Sequence, residues 1–309
     1  MNDQLARHIL MVRPAAFGFN EQTAASNDYQ RRPSDPASAV AERARAEFDA
    51  TVRILRSEGI DVLVVEDTPH PPTPDAVFPN NWVQFAHDGT VHLFPMATPN
   101  RAAERRPEIL AHVAKRFDVR CLSHWTHPER FGRALEGTGS IVYHHPSRTA
   151  YACLSPRTDA ELFDTFCQAI GYRPVAFHST RRNGTAQYHT NVVMCIGDGF
   201  AVVGLDSVRD EAERAMLTRD LEANGLEVVP ITDDQLEEGF AGNMLEVLTG
   251  DGARRLVLSR RAEACLTDDQ RAALDGWTTR VPVPLDIIET VGGGSARCMM
   301  AEVFLPERA

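Results

Sequence analysis

One local order, strand–strand–helix–strand, recurs five times along this 309-residue chain and constrains its fold more than any single motif. Apolar runs bounded by turn residues mark the strands, and amphipathic stretches mark the helices. Residues 77–85 and 91–96 read as two strands around the turn HDG, followed by a helix over about 102–117 and the strand DVRCL. Residues 140–145 and 149–155 repeat the hairpin, with a helix from Asp159 to Ile170 and then RPVAFH. A further copy runs NVVMCIG, FAVVG, a helix over about 209–223 and EVVPI. Another runs NMLEVLT, RRLVLS, a helix over about 260–275 and TRVPVPL. The opening unit is split between the chain ends. It comprises HILMVRP, ending at Pro14, a helix over 37–58 stopped by Gly59, a strand at 61–66, and a final strand around Met299–Leu305 that can pair with residues 8–13. A closed ring of five such units hides the sheet edges that an open array leaves exposed. The ring is preferred over a three-layer doubly wound α/β sheet, because a hairpin precedes every helix.

No linker separates the units, so one domain over residues 1–309 is expected. The formal net charge of −11 argues against a nucleic-acid partner, whose affinity rests on phosphate neutralisation. No run of 18 apolar residues occurs, and MNDQLARHILMVRP lacks the apolar core of a secretion signal, so a cytoplasmic protein with no membrane partner is expected. Six cysteines without CxxC spacing read as free thiols. Cys121, Cys153 and Cys195 lie in strand-like runs and Cys167 and Cys265 in helix-like segments, where a small buried hydrophobe is the default. Neither HExxH nor paired Cys/His spacing is present, and the GxGxxG and GxxxxGK[ST] fingerprints are missing, so no metal and no cofactor is expected. The pair His144-His145 sits at a strand end, where its two rings are expected to face opposite sides.

Cys298 alone has polar, glycine-rich surroundings, in ETVGGGSARCMMAEVFLP at 289–306. If the loops between strands converge at one end of the ring, DAVFPNNW (75–82), LEGTGS (135–140), YHTN (188–191), FAGNMLE (240–246) and GGGSARC (292–298) surround a common cavity. Cys298 is then the candidate nucleophile, His189 the general acid/base, and Glu136 a carboxylate that orients the imidazole or binds substrate N–H groups. The thiolate forms either through Arg297, His189 and an approaching cation, or through the substrate itself. The loop Phe17–Pro36 is long and polar enough to cover the cavity.

FPNNW, LEGTGS, HTN and GGGSARCMM together resemble the guanidino-modifying enzymes, the superfamily of arginine deiminase, dimethylarginine dimethylaminohydrolase and the amidinotransferases. The strongest likeness is to bacterial FPNNW-type amidinotransferase-like hydrolases, including those of citrulline utilisation. The resemblance implies a five-bladed α/β propeller, the pentein fold, over essentially the whole chain. It implies that Cys298 attacks the central guanidinium carbon to form a covalent intermediate, with His189 and Glu136 as its catalytic partners. Asn81 falls where relatives place a guanidinium-gripping carboxylate, and Arg101 and Arg157 resemble arginines that hold a substrate α-carboxylate. A surface salt bridge is the bland alternative for both arginines. Phe78, Asn80, Asn191 and Gly293, in the same motifs, complete the expected substrate-binding set.

The departures from the family pattern matter for substrate choice. The usual His-x-Asp is here His189-x-Asn191, Asn81 replaces a carboxylate, and EGTGS lacks a final Asp. An amide offers a donor and an acceptor without charge, which suits a neutral ureido group such as that of citrulline. The expected activity is cysteine-dependent hydrolysis at the guanidino or ureido carbon of an arginine-related amino acid (citrulline, arginine or methylated arginine). The rivals are an amidinotransferase, with an amine in place of water, and a non-catalytic binding propeller. The expected partner is a small guanidino or ureido amino acid, and a homo-oligomer is left open.

Overall fold

Residues 142–177 show how one unit is built. Val142–His144 pairs antiparallel with Thr149–Cys153. The Asp159 side chain accepts the Leu162 N–H and starts the helix Ala160–Ile170, which buries Phe163, Phe166 and Cys167 on one face and ends at Gly171 with φ +72°. Arg173–Phe177 then returns parallel to Thr149–Cys153. A computed structural model describes residues 4–308, and the same order occurs in it five times.

Three further units follow the chain in series: Val83–Phe85, Thr90–Leu93 and Cys121–His124; Met194–Ile196, Phe200–Val203 and Glu227–Pro230; and Leu245–Leu248, Arg254–Ser259 and Thr279–Val283. The split unit joins the chain ends. Ala301–Val303 runs antiparallel to His8–Arg13, which lies parallel to Asp61–Glu66 under the helix Ala37–Ser57. Val303 also pairs with Phe85, so two units merge into a six-stranded sheet while the other three remain three-stranded. Helices of the units cover the sheets, and the central strands are accordingly near-continuous apolar runs such as the fully buried Phe200–Val203. Among the described residues no helix is long and apolar enough to cross a membrane.

Several elements differ from the sequence reading. The expected helix over 102–117 is two pieces, Pro99–Ala102 and Pro107–Val113, because Pro107 has no N–H and holds Arg106 extended. The expected helix over 260–275 divides into Arg260–Cys265 and Asp268–Asp275, where Thr267 and Gln270 form a capping box. Cys121 is exposed rather than buried, because its strand lies at the edge of the six-stranded sheet. His144 and His145 engage different partners, Ser147 Oγ at 2.6 Å and Tyr172 Oη at 2.7 Å.

The largest difference concerns the motif stretches. Pro79–Asn81, Gly137–Ser140, Thr190–Val193 and Ala296–Met299 are single helical turns placed just before the first strand of their units. The expected strands 77–85 and 299–305 shorten to Val83–Phe85 and Ala301–Val303 as a result. These turns are tied to one another. Thr138 Oγ1 donates to Asn80 O (3.3 Å), Thr190 Oγ1 to Ser140 O (2.5 Å), and Asn243 Nδ2 to Asn191 O (2.8 Å). Arg297 N donates in turn to Asn243 Oδ1 (3.0 Å), and Ala296–Met299 packs against Pro79–Asn81.

Phe48 of the long helix is fully buried against the strands of its unit. Phe48→Ala is expected to lower the unfolding free energy by about 3–5 kcal/mol in urea titrations, through lost burial and an unfilled cavity. A loss below about 1 kcal/mol would mean that this helix is not anchored there.

Candidate active site

Cys298 sits on the turn Ala296–Met299, only 2% exposed, with its Sγ facing polar groups. Asn243 Nδ2 lies 3.2 Å and Asn191 Nδ2 3.4 Å from the sulfur. Arg297, expected beside the thiol, is turned away: its guanidinium donates to Met300 O (2.8 Å) and to Glu302 (2.6 Å). Cys298 shares one small cavity with His189, Phe78, Asn81, Arg101 and Arg157. Its free volume, about 10 Å³, is room for about one water.

His189 Nε2 meets Glu136 Oε2 at 2.8 Å, and both side chains are buried. The other Glu136 oxygen accepts the Ala97 N–H at 2.9 Å. Burial raises the Glu136 carboxyl, but Arg157, the His189 hydrogen bond and Arg101 outweigh it and hold the group down at about 2. Burial lowers the His189 imidazole to about 4 against the opposing pull of Glu136. At neutral pH the pair is therefore carboxylate and neutral imidazole. An ionised carboxylate only accepts, so Nε2 carries the proton and Nδ1 the lone pair. Nδ1 has no hydrogen-bond partner among the described residues. It lies against Gly139, where a Cβ would sit 2.8 Å from Nδ1 and 2.4 Å from Asn81 Nδ2.

Arg101 and Arg157 are buried, which removes the surface salt-bridge reading. Arg101 is largely committed: Nε and Nη2 grip Glu104 (2.8 and 3.0 Å), Nη2 also reaches Phe78 O (3.1 Å), and Nη1 donates to Asn81 Oδ1 (2.9 Å). Arg157 donates from Nε and Nη2 to Ser26 Oγ, while Nη1 stands 3.7 Å from Glu136. That leaves the N–H groups of Arg157 Nη1 as the more available donors. The amides of Asn81 and Asn191 are also in use, Asn81 between Asn80 and Arg101 and Asn191 at the sulfur.

Two further carboxylates complete the charge pattern. Asp75 lines the cavity, with Oδ2 held by Asn20 Nδ2 (2.7 Å) and Oδ1 without a protein partner. Burial raises Asp75 above the usual carboxylate range and pushes Glu104 up to about 8, against the pull of Arg101 on both. Asp75, Glu104 and Glu136 thus surround the two arginines, and of the three only Glu136 is held firmly in its charged form.

The segment Phe17–Pro36 closes the site from above. Tyr29 packs its ring against Tyr188 and Phe240 under the Arg181 guanidinium, and Asn27 Nδ2 reaches the carbonyls of Gly292 and Gly293. Gly293 takes φ +66°, and its carbonyl accepts the Tyr188 hydroxyl at 2.5 Å, while the neighbouring Gly292 and Gly294 line the cavity over Phe78. Gly293, Asn80, Asn191 and Glu136 lie behind the lining residues, each one contact away from them.

A buried cysteine, a carboxylate-held histidine and two buried arginines thus meet at the junctions of repeated units in an α/β protein. The chain belongs to the N,N-dimethylarginine dimethylhydrolase family of the eukaryotic type, whose model matches residues 13–305. A search of curated proteins finds no match. Solved structures share the α/β pentein fold at low identity. The N-terminal domain of ArgZ, a cyanobacterial arginine dihydrolase, superposes with TM-score 0.73 at 17% identity, covering 97% of this chain and 98% of that domain. AgrE bound to L-arginine gives 0.74 at 15% identity, over 97% of this chain and 40% of that longer one. The dimethylarginine dimethylaminohydrolase of Pseudomonas aeruginosa, complexed with citrulline, gives 0.66 at 13% identity, over 96% and 99%.

Of the candidates, Phe78, Asn81, Arg101, Arg157, His189 and Cys298 line the cavity, and Glu136, Asn80, Asn191 and Gly293 stand behind them. The structure adds Asp75, Asn243 and Tyr188, which lie inside the motif stretches DAVFPNNW, FAGNMLE and YHTN, and Asn27, which lies in the expected cover Phe17–Pro36. Gly139→Ala is expected to preserve the fold yet lower kcat/KM at least about 100-fold by displacing the imidazole and Asn81. Circular dichroism with steady-state kinetics checks this, and a fully active variant would show that His189 has room to move.

Proposed function

We propose that this protein is a cysteine-dependent hydrolase of the guanidino or ureido carbon of an arginine-related amino acid, built on a closed five-bladed α/β propeller. The chain of turn-to-turn hydrogen bonds from residue 80 round to residue 297, closed by packing of 296–299 on 79–81, supports the ring. One observation carries the chemistry: Cys298 and His189 line one buried cavity, with Glu136 hydrogen-bonded to the imidazole Nε2. Family membership supports the reaction class, and the arginine and citrulline complexes of AgrE and the Pseudomonas enzyme name ligands to test.

Cys298 Sγ gives its proton to His189 Nδ1 and forms the S–C bond at the central carbon. The departing amine takes the proton from Nδ1 as the C–N bond breaks, leaving a covalent S–C adduct. Water then loses a proton to Nδ1 and adds to the adduct. The C–S bond breaks, and the proton returns to sulfur. Arg157 suits the α-carboxylate, and the free Asp75 oxygen suits a cationic group. With Asn81 and Asn191 occupied by protein partners, the amide argument no longer favours a ureido group. The Asp75 carboxyl on the cavity wall favours a guanidinium.

Purified protein incubated with arginine, methylated arginines, citrulline and agmatine, assayed for ammonia, methylamines, ornithine and citrulline, tests the assignment. Turnover of a guanidino amino acid is expected, with at least about a 1,000-fold loss in Cys298→Ser and a comparable loss in His189→Ala. Near-normal activity in Cys298→Ser would overturn it. Because burial holds the imidazole at about 4, the acid limb of kcat/KM is expected near pH 4. Activity falls there as Nδ1 gains a proton and ceases to act as a base. An acid limb near pH 6.5 would contradict the buried, neutral His189.

A further inference from the structure

On the reading that Cys298 is the nucleophile, its sulfur needs a stabilising partner that the sequence did not identify. The expected cation, Arg297, spends its guanidinium on Met300 O and Glu302 instead. Two buried amides do make contact, and their orientations are not equivalent. Asn243 Oδ1 accepts the Arg297 backbone N–H at 3.0 Å, which fixes that end of the amide as oxygen. The opposite end, Nδ2, faces two acceptors, Asn191 O at 2.8 Å and Cys298 Sγ at 3.2 Å. Asn243 can therefore only donate to the sulfur. Asn191 presents Nδ2 at 3.4 Å and Oδ1 at 3.8 Å, so it can donate to a thiolate or accept from a thiol.

We infer that Asn243 is a catalytic residue, the fixed hydrogen-bond donor that stabilises the Cys298 thiolate, with Asn191 as an adaptable second donor. The physical case for amides in place of a cation lies in the substrate. An arginine or lysine against the sulfur would stabilise the thiolate but repel an incoming guanidinium across a buried cavity. Neutral donors favour the anion of the nucleophile without opposing the cation it attacks. No atom is transferred to or from Asn243. Its N–H bonds to the sulfur strengthen as the Cys298 proton leaves for His189 Nδ1 and weaken as the S–C bond forms.

The test is the ultraviolet thiolate titration of the substrate-free protein, taken as a difference against Cys298→Ser so that only this sulfur is read. Asn243→Asp keeps the Oδ1 contact to Arg297 N and the side-chain size but replaces the donor with an acceptor. The thiolate midpoint in Asn243→Asp is expected to move up by about 1–2 pH units, the size of a lost hydrogen bond to a charged group. kcat/KM at neutral pH is expected to fall about 10–100-fold and to recover as the pH is raised. Asn243→Ala, which removes the donor without adding charge, is expected to move the midpoint in the same direction by less. A merely structural role would lower activity equally at all pH values with the midpoint unmoved. A folded Asn243→Asp or Asn243→Ala protein with the native midpoint overturns the inference. The hydrolase reading fails separately, through retained turnover in Cys298→Ser, and that outcome does not depend on where this titration falls.

Discussion

Ala301–Val303 has a neighbour on each side, His8–Arg13 antiparallel and Val83–Phe85 parallel, and most of the molecule depends on that double pairing. It joins the last residues of the chain to the first and to the second unit. The turn Ala296–Met299 immediately precedes this strand, so the pairing also sets where Cys298 points. From that turn the contacts run to Asn243, Asn191, Ser140 and Asn80, each from one unit to the next. A cysteine on a free loop would not hold two amides against its sulfur, whereas one clamped between sheet and neighbouring turns does.

The electrostatics of the cavity follow from how little water reaches it. Burial alone would raise Glu136, yet it remains ionised because Arg157, His189 and Arg101 stand around it. The same burial keeps His189 neutral, so one hydrogen bond fixes both the tautomer and the direction of the lone pair. Asp75 and Glu104 stand against Arg101, and burial raises both carboxyls against its pull. Gly139 matters here for what it lacks, since any side chain would occupy the space against Nδ1.

Much of this was legible in the residues. The five strand–strand–helix–strand units, the pairing of the chain ends and the five stretches that meet were all readable, because each rests on local apolar patterning and on glycine and asparagine punctuation. Two of the short turns were read into strands, since Pro79–Asn81 and residues 191–193 run on into apolar stretches and one helical turn carries no periodicity. The break at Pro107 was available from the missing N–H, and the capping pair Thr267 and Gln270 from spacing alone. The substrate argument from Asn81 and Asn191 loses its basis for a different reason. Composition shows that an amide is present but not which of its neighbours already uses it.

The sequence by itself determined the unit and its number, and it put a thiol, an imidazole and a carboxylate in the motif stretches, because those depend on local pattern and residue type. Only the tertiary structure decided which atoms meet. It turned Arg297 away and put Asn243 at the sulfur, it buried Arg101 and Arg157 with their carboxylates, and it left Asp75 Oδ1 and His189 Nδ1 without hydrogen-bond partners among the described residues. Hydrogen-bond commitments between residues more than 50 positions apart, such as Asn243 with Cys298, are set by packing geometry, which local sequence does not encode.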